Sequence, residues 1–138
     1  YQVFATADGH IVLAVGNDGQ FKAFCTEAGL ASLPTDARFS TNPSRIANRA
    51  ALVDVIERAM RSRTTAQWID ALERANVPCG PINTIDQVFA DPQVRARAMA
   101  HRMTRPDGAD VTLVANPLKL SRTPTIAERA PPSRAIAV

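Results

Sequence analysis

The longest uninterrupted apolar run in this chain is residues 11–15, which is strand length and far short of the ~18 residues a membrane-spanning helix needs. Insertion into a bilayer is therefore not expected. Histidine is scarce, with only His10 and His101, and the two cysteines, Cys25 and Cys79, stand far apart without a C-x-x-C pairing. Such spacing suggests neither a zinc centre nor a dithiol redox motif, so no metal is expected. Both thiols read as reduced groups of a cytoplasmic protein, unpaired with each other. A single Trp and a single Tyr offer little stacking surface, and the net charge of +3 comes from dispersed arginines rather than a basic block. No nucleic-acid partner is expected on those grounds. The chain opens at Tyr1 rather than Met, on a strand-like segment with no leader of any targeting type, which points to a fragment or a processed chain.

What is present suits a globular fold. The composition is 46% hydrophobic and 21% charged over 138 residues, enough for one domain with a continuous core and too little for two comfortable ones. Residues 2–6 and 10–15 are β-like and flank Ala7-Asp8-Gly9. Asp-Gly tolerates the positive φ angles of a tight turn, so an antiparallel hairpin is predicted. Asn17 as N-cap, with Gln20 in the reciprocal capping position, starts a helix over 18–28 in which Phe21, Phe24, Cys25 and Ala28 recur at helical spacing before Gly29. Residues 30–43 read as an ordered loop pinned by Phe39.

The strongest amphipathic stripe follows: Leu52, Val55, Ile56, Ala59 and Met60, with Ser44 as cap. Thr64 with Gln67 forms a capping box for a further helix that presents Trp68, Leu72 and Ala75 on one face. These two helices are expected to pair antiparallel, and Phe21, Phe24, Leu52, Val55, Ile56, Trp68 and Leu72 to share one core. Two prolines around Cys79-Gly80 predict a rigid corner at 77–81, with Cys79 structural. Thr84 with Gln87, and Asp91-Pro92, start two short helices. From Met103 the pattern returns to strands around a Pro106-Asp107-Gly108 turn, with residues 111–114 branched and Leu118 and Leu120 continuing at period two. After Ser121 come Pro124, Pro131 and Pro132 without a periodic core, the mark of an extended arm. The fold class is α+β: an antiparallel hairpin and small sheet packed on a helical pair, with an extended C-terminal arm.

No phosphate-binding glycine loop, dinucleotide fingerprint or nucleophile elbow occurs. His10 and His101 read as solvated residues. Asp54, Glu57, Asp70 and Glu73 read as solubilising charges on helix surfaces, while Asp86 and Asp91 lie at helix starts where the dipole favours a carboxylate. Asp18 shares that explanation, yet it also follows the strand expected to be central, a place where sites are often built.

Several segments, taken in order, resemble a known family. They are Phe4-Ala-Thr-Ala-Asp-Gly9, Leu13-Ala-Val-Gly-Asn-Asp18 with Gln20-Phe21, Asp36-Ala-Arg-Phe39 with Thr41-Asn42, and Asn48-Arg49 with Leu52. Val77-Pro-Cys-Gly-Pro81 with Asn83, Asp91-Pro-Gln-Val94, Arg97, and Asn116-Pro117 with Leu120-Ser121 complete the series. Each is common alone. Their order and spacing across nearly the whole chain resemble the C-terminal third of the class III, CaiB/BaiF-type (formyl-CoA transferase-like) CoA-transferases.

The resemblance implies a two-domain subunit in which residues 1–120 form the small α+β domain and 121–138 return to a large nucleotide-fold domain outside this sequence. It implies an interlocked homodimer, and enzymes that move CoA from an acyl-CoA to a free carboxylic acid through anhydride and thioester intermediates on an aspartate. That aspartate and most CoA contacts precede the matched segment, so this chain alone is expected to be inactive. Coenzyme A is implied as co-substrate, with no permanently bound cofactor. Residues 15–20 would border the acyl part of the cleft, with Gly16, Asn17 and Gln20 at its edge. A racemase branch acting on 2-methylacyl-CoA carries an acid/base glutamate in the stretch matching 16–21, where Asp18 stands here. Aspartate is one methylene shorter, which argues for the transferase. A stand-alone, non-catalytic binding or interaction module is the remaining alternative.

Overall fold

The predicted hairpin opens the chain. In the computed structural model, which describes residues 1–125 and 129–132, β1 (Gln2–Ala5) and β2 (His10–Leu13) pair antiparallel with Phe4 opposite Ile11. The turn works differently from the expected Asp-Gly geometry. Among the described residues the glycines at positive φ are Gly29 and Gly108, so Gly9 is not used for its left-handed freedom. The loop closes instead through Thr6, whose N–H donates to the Gly9 carbonyl at 2.9 Å and whose Oγ1 accepts from the Gly9 N–H at 3.0 Å. Gly9 matters for room: a Cβ there would lie 3.1 Å from Thr65 Oγ1.

β3 (Cys79–Pro81) adds to the other side of β2, with Leu13 opposite Cys79 and Ile11 opposite Pro81, giving the order β1-β2-β3. The predicted corner at 77–81 is therefore also an edge strand, a position where the missing N–H of Pro81 is tolerated. Hydrogen bonds continue beyond it, from the Ala14 N–H to the Pro78 carbonyl and from the Ile82 N–H to the His10 carbonyl.

α1 (Asp18–Glu27) starts at Asn17, whose Oδ1 accepts the Gln20 N–H at 2.8 Å. Gln20 reaches past the cap and accepts the N–H of Gly16 at 2.8 Å. Gly29, at φ +70, ends the helix, with the Leu30 N–H returning to the Cys25 carbonyl. Residues 30–41 contain a short 3-10 turn (Leu33–Thr35) and bury Phe39 as predicted. Ser44 is not the cap of the long helix. Thr41 caps α2 (Asn42–Ala47), whose Pro43 sits in the first turn where a missing N–H costs nothing. Asn48 then breaks the helix, its side chain donating to the Ser44 and Arg38 carbonyls, before α3 (Arg49–Met60).

α4 (Thr65–Arg74) begins with the predicted capping box: Thr64 Oγ1 accepts the Gln67 N–H at 3.2 Å, and Gln67 Oε1 accepts the Thr64 N–H at 3.0 Å. Of the expected core, Phe21, Phe24, Leu52, Ile56, Trp68 and Leu72 are buried, and Val55 is half-buried against them. Removing each such side chain from water contributes about 1.5–3 kcal/mol. The closest backbone neighbours of α4 are β3 and α1, and those of α3 are β1 and α2. The two long helices thus join through their shared core and through Trp68 Nε1, which donates to the Met60 carbonyl at 2.7 Å.

Backbone packing divides the chain into two compact units, Tyr1–Ile82 and Asn83–Val138. The second holds α5 (Ile85–Ala90), α6 (Pro92–Ala96) and an antiparallel pair, β4 (Ala100–Thr104) and β5 (Asp110–Val114). Gln87 Oε1 accepts the Thr84 N–H, and Asp91 Oδ1 accepts from Gln93 and Val94, as the sequence predicts. Gly108 turns the hairpin at φ +81. Leu118 and Leu120 do not extend this sheet, and both are exposed. Asn116 explains why: its Oδ1 accepts the Leu118 N–H at 2.9 Å, an Asx turn spanning Pro117 that diverts the backbone. Residues 121–125 and 129–132 hold no helix or strand. The remainder of the expected arm, 126–128 and 133–138, lies outside the described residues.

Candidate functional site

Past the end of β2 the backbone crosses through Val15 and Gly16 into α1, and here the structure gathers the sequence-predicted residues Gly16, Asn17, Asp18 and Gln20. Their polar groups are largely committed. Asn17 caps α1 and Gln20 holds the Gly16 N–H, so both serve to fix the loop.

Asp18 turns towards a residue the sequence reading missed. Its Oδ1 accepts from Arg45 Nη2 at 2.6 Å. Arg45 is only 6% exposed, and taking a guanidinium out of water costs several kcal/mol unless it is paired and hydrogen-bonded. Here Nη1 donates to the Phe39 carbonyl at 3.0 Å and the guanidinium carbon lies 4.4 Å from the centre of the Phe21 ring. Its charge, two of its N–H groups and its π-face are thus answered. On α2 the usual polarity is inverted: Arg45 faces in while its neighbour Ile46 is 69% exposed. Local patterning assigns the opposite faces, so no signal in the sequence near Arg45 identifies it.

Val15 and Gly16 of the loop, with Arg45, line a cavity of about 350 Å3; Asn17, Asp18 and Gln20 are not in its wall. Its wall is apolar where Phe4, Val15, Phe24 and Ile56 contribute, and cationic at Arg49, while the charge of Arg45 is met by Asp18. Arg49 Nη2 donates to Gln2 Oε1 at 2.5 Å. The volume falls within the range of small-molecule pockets, and the lining suits an apolar group that carries a negative charge.

Nothing at this site forms a nucleophile–base pair. Asp18 is tied to Arg45. His10 is exposed at the start of β2, at the opposite end of that strand from the loop, and His101 belongs to the second unit. Cys25 and Cys79 are free thiols. Burial pushes Cys25 up to about 11, opposed by the charge of Arg45, and Cys79 is also raised, by burial and then by Glu73. Neither is poised as a thiolate at neutral pH. Among the described residues no cluster of His, Cys, Asp and Glu could hold a metal ion, and no helix is long and apolar enough to cross a membrane.

The chain is 39% identical over 132 residues to the succinate–glutarate CoA-transferase of Agrobacterium fabrum, a match covering 96% of this chain and 33% of that protein. It is 32% identical over 132 residues to the human succinyl-CoA:glutarate CoA-transferase, covering 96% of this chain and 30% of the relative. The fold superposes on the crystal structure of a CaiB/BaiF family protein from Brucella suis with a TM-score of 0.79 and 37% identity, over 95% of this chain and 34% of that one. The chain therefore spans about a third of the length of these relatives. A sequence model described as CoA-transferase family III matches residues 1–135, and the chain belongs to that family.

Proposed function

We propose that the full-length protein transfers CoA from an acyl-CoA to a free carboxylic acid, and that this chain supplies its small α+β domain. The observation that carries the reading is the family match over residues 1–135, together with a loop at 15–20 that is rigidly held beside a pocket of mixed apolar and cationic lining. On this reading residues 1–120 close over the acyl group, with Gly16, Asn17 and Gln20 at the edge of the cleft, and 121–138 return to the large domain. The assembly is an interlocked homodimer in the cytoplasm.

The chemistry needs a carboxylate nucleophile, which family resemblance puts in the part of the protein preceding this segment. That carboxylate attacks the thioester carbonyl, the C–S bond breaks, and CoA thiolate leaves a mixed anhydride behind. The thiolate then attacks the aspartyl carbonyl of the anhydride, releasing the donor acid and forming an aspartyl-CoA thioester. An acceptor carboxylate reverses both steps and departs as the new acyl-CoA. Coenzyme A is thus a co-substrate, and no cofactor stays bound. Residues 1–138 alone have no nucleophile for this sequence, and their role is to exclude water from a hydrolysable anhydride. The ion pair between Asp18 and Arg45 favours the transferase over the racemase, because a racemase would need the Asp18 position as an acid/base free to face the carbon next to the thioester.

The named relatives use succinate and glutarate, so four- and five-carbon dicarboxylates are the first acceptors to assay. The full-length protein, incubated with succinyl-CoA and glutarate, is expected to form glutaryl-CoA, followed by mass spectrometry. Solvent-deuterium uptake into a 2-methylacyl-CoA without ester exchange would install the racemase instead. Absence of both reactions would leave the binding module.

A further inference from the structure

Arg45 joins parts of the first unit that are far apart in sequence. From α2 it reaches the Phe39 carbonyl in the 30–41 loop, the ring of Phe21 in α1 and the carboxylate of Asp18 at the start of α1. Its own side chain is 7% exposed while that of Asp18 is 59% exposed, so the pair anchors a surface loop to the interior. Asp18 follows directly on Asn17 and Gly16, the residues that the Gln20 side chain and N–H also bind. Arg45 and Gly16 line the same cavity.

We propose that Arg45 is a positioning residue: by holding Asp18 and Phe21 it fixes the backbone of residues 15–20, and through it the cavity-lining Val15 and Gly16, without touching the reacting atoms. The proposal rests on the transferase reading for its kinetic consequence and on geometry alone for its structural one. Loop placement acts on the reaction step through pre-organisation, so kcat is the parameter affected.

The test compares wild type, Arg45→Met, Asp18→Asn and the double variant in the full-length protein. Methionine keeps much of the buried stem and its contact with Phe21 while removing the donors. Each single variant is expected to lower kcat by about tenfold with KM for acyl-CoA within about threefold, and the double variant to fall no more than about twofold below the worse single one, because both remove the same link. Amide exchange at Gly16 and Gln20, read by mass spectrometry or NMR, is expected to quicken in the variants while α3 and α4 stay protected. Multiplicative losses, or a folded Arg45→Met with wild-type kcat and wild-type exchange at Gly16, would overturn the proposal. Should Arg45→Met not fold, Asp18→Asn, changed at an exposed site, carries the decision: unaltered kcat and exchange reject the link. Wild-type protein without CoA transfer would sink the transferase reading, and the exchange comparison would still decide the role of Arg45.

Discussion

Asp8, in the hairpin loop, caps a helix 57 residues further along the chain: its Oδ1 accepts the N–H of Thr65 at 2.7 Å and the Thr65 hydroxyl at 3.0 Å. The Thr65 N–H is one of the donors that the first turn of α4 cannot satisfy internally. That backbone hydrogen bond is the main reason the Asp8 carboxyl lies below its ordinary 3.8; desolvation opposes it, and the hydroxyls of Thr65 and Thr6 lower it further.

A pH dependence follows from the sign of that shift. A carboxyl whose folded pKa is depressed contributes stability above its unfolded value and loses it as pH falls through the folded one. Asp8→Asn is therefore expected to lower Tm at pH 7, and the gap from wild type should narrow below pH 3.8. Thermal melts of both proteins between neutral and acid pH check it; a gap constant with pH would mean the charge of Asp8 is not what stabilises the loop.

Gly9 in the hairpin loop and Gly80 in β3 should respond differently to alanine. A Cβ at Gly9 would press on Thr65 Oγ1, while one at Gly80 would meet nothing within 4 Å. Gly9→Ala is expected to cost about 1–3 kcal/mol, in the range of small overpacking changes, and Gly80→Ala less than about 0.5 kcal/mol. Urea unfolding midpoints of the two variants provide the comparison.

Trp68→Phe keeps an aromatic ring in the core and leaves the Met60 carbonyl without its indole donor. The expected loss is about 1–3 kcal/mol, whereas Trp68→Ala should cost about 3–5 kcal/mol. Circular dichroism during urea titration measures both, since the only Trp is the one removed.

Thiol chemistry separates the two cysteines. Cys25 is fully buried and raised to about 11, while Cys79 is half-buried in an edge strand. Native protein at neutral pH is expected to react slowly with a disulfide reagent, at Cys79 before Cys25, and both should react quickly in guanidinium. Peptide mapping of the labelled sites gives the order, and early modification of Cys25 would contradict the burial.

Local chemistry was the legible part of this fold. The caps at Asn17, Thr64 and Asp91 follow from side chains within three residues of the donors they bind, and the core stripe follows from helical spacing. Pairings decided by distant residues were not. β3 is three residues long and ends on Pro81, so its membership of the sheet depends on β2 offering a free edge rather than on any strand signal of its own. Asn48 breaks the helix by bonding to the carbonyls of Ser44 and Arg38, a choice local propensity does not reveal. At the candidate site, Gly16 to Gln20 stood out through a resemblance, while Arg45 stayed hidden because its burial is justified by Phe39, Phe21 and Asp18, none of which is adjacent to it.

The central place of β2 has a consequence for synthesis. Within the first unit the hairpin leaves the ribosome before the helices, yet the strand that covers the open side of β2 arrives only with Cys79–Pro81, after α1 to α4 have emerged. Until then a nascent chain presents the unpaired backbone of Ile11, Val12 and Leu13, an invitation to pair with another copy. The last few residues of the first unit thus act as its seal, and a ribosome paused shortly before Cys79 would hold the chain in its most adhesive state.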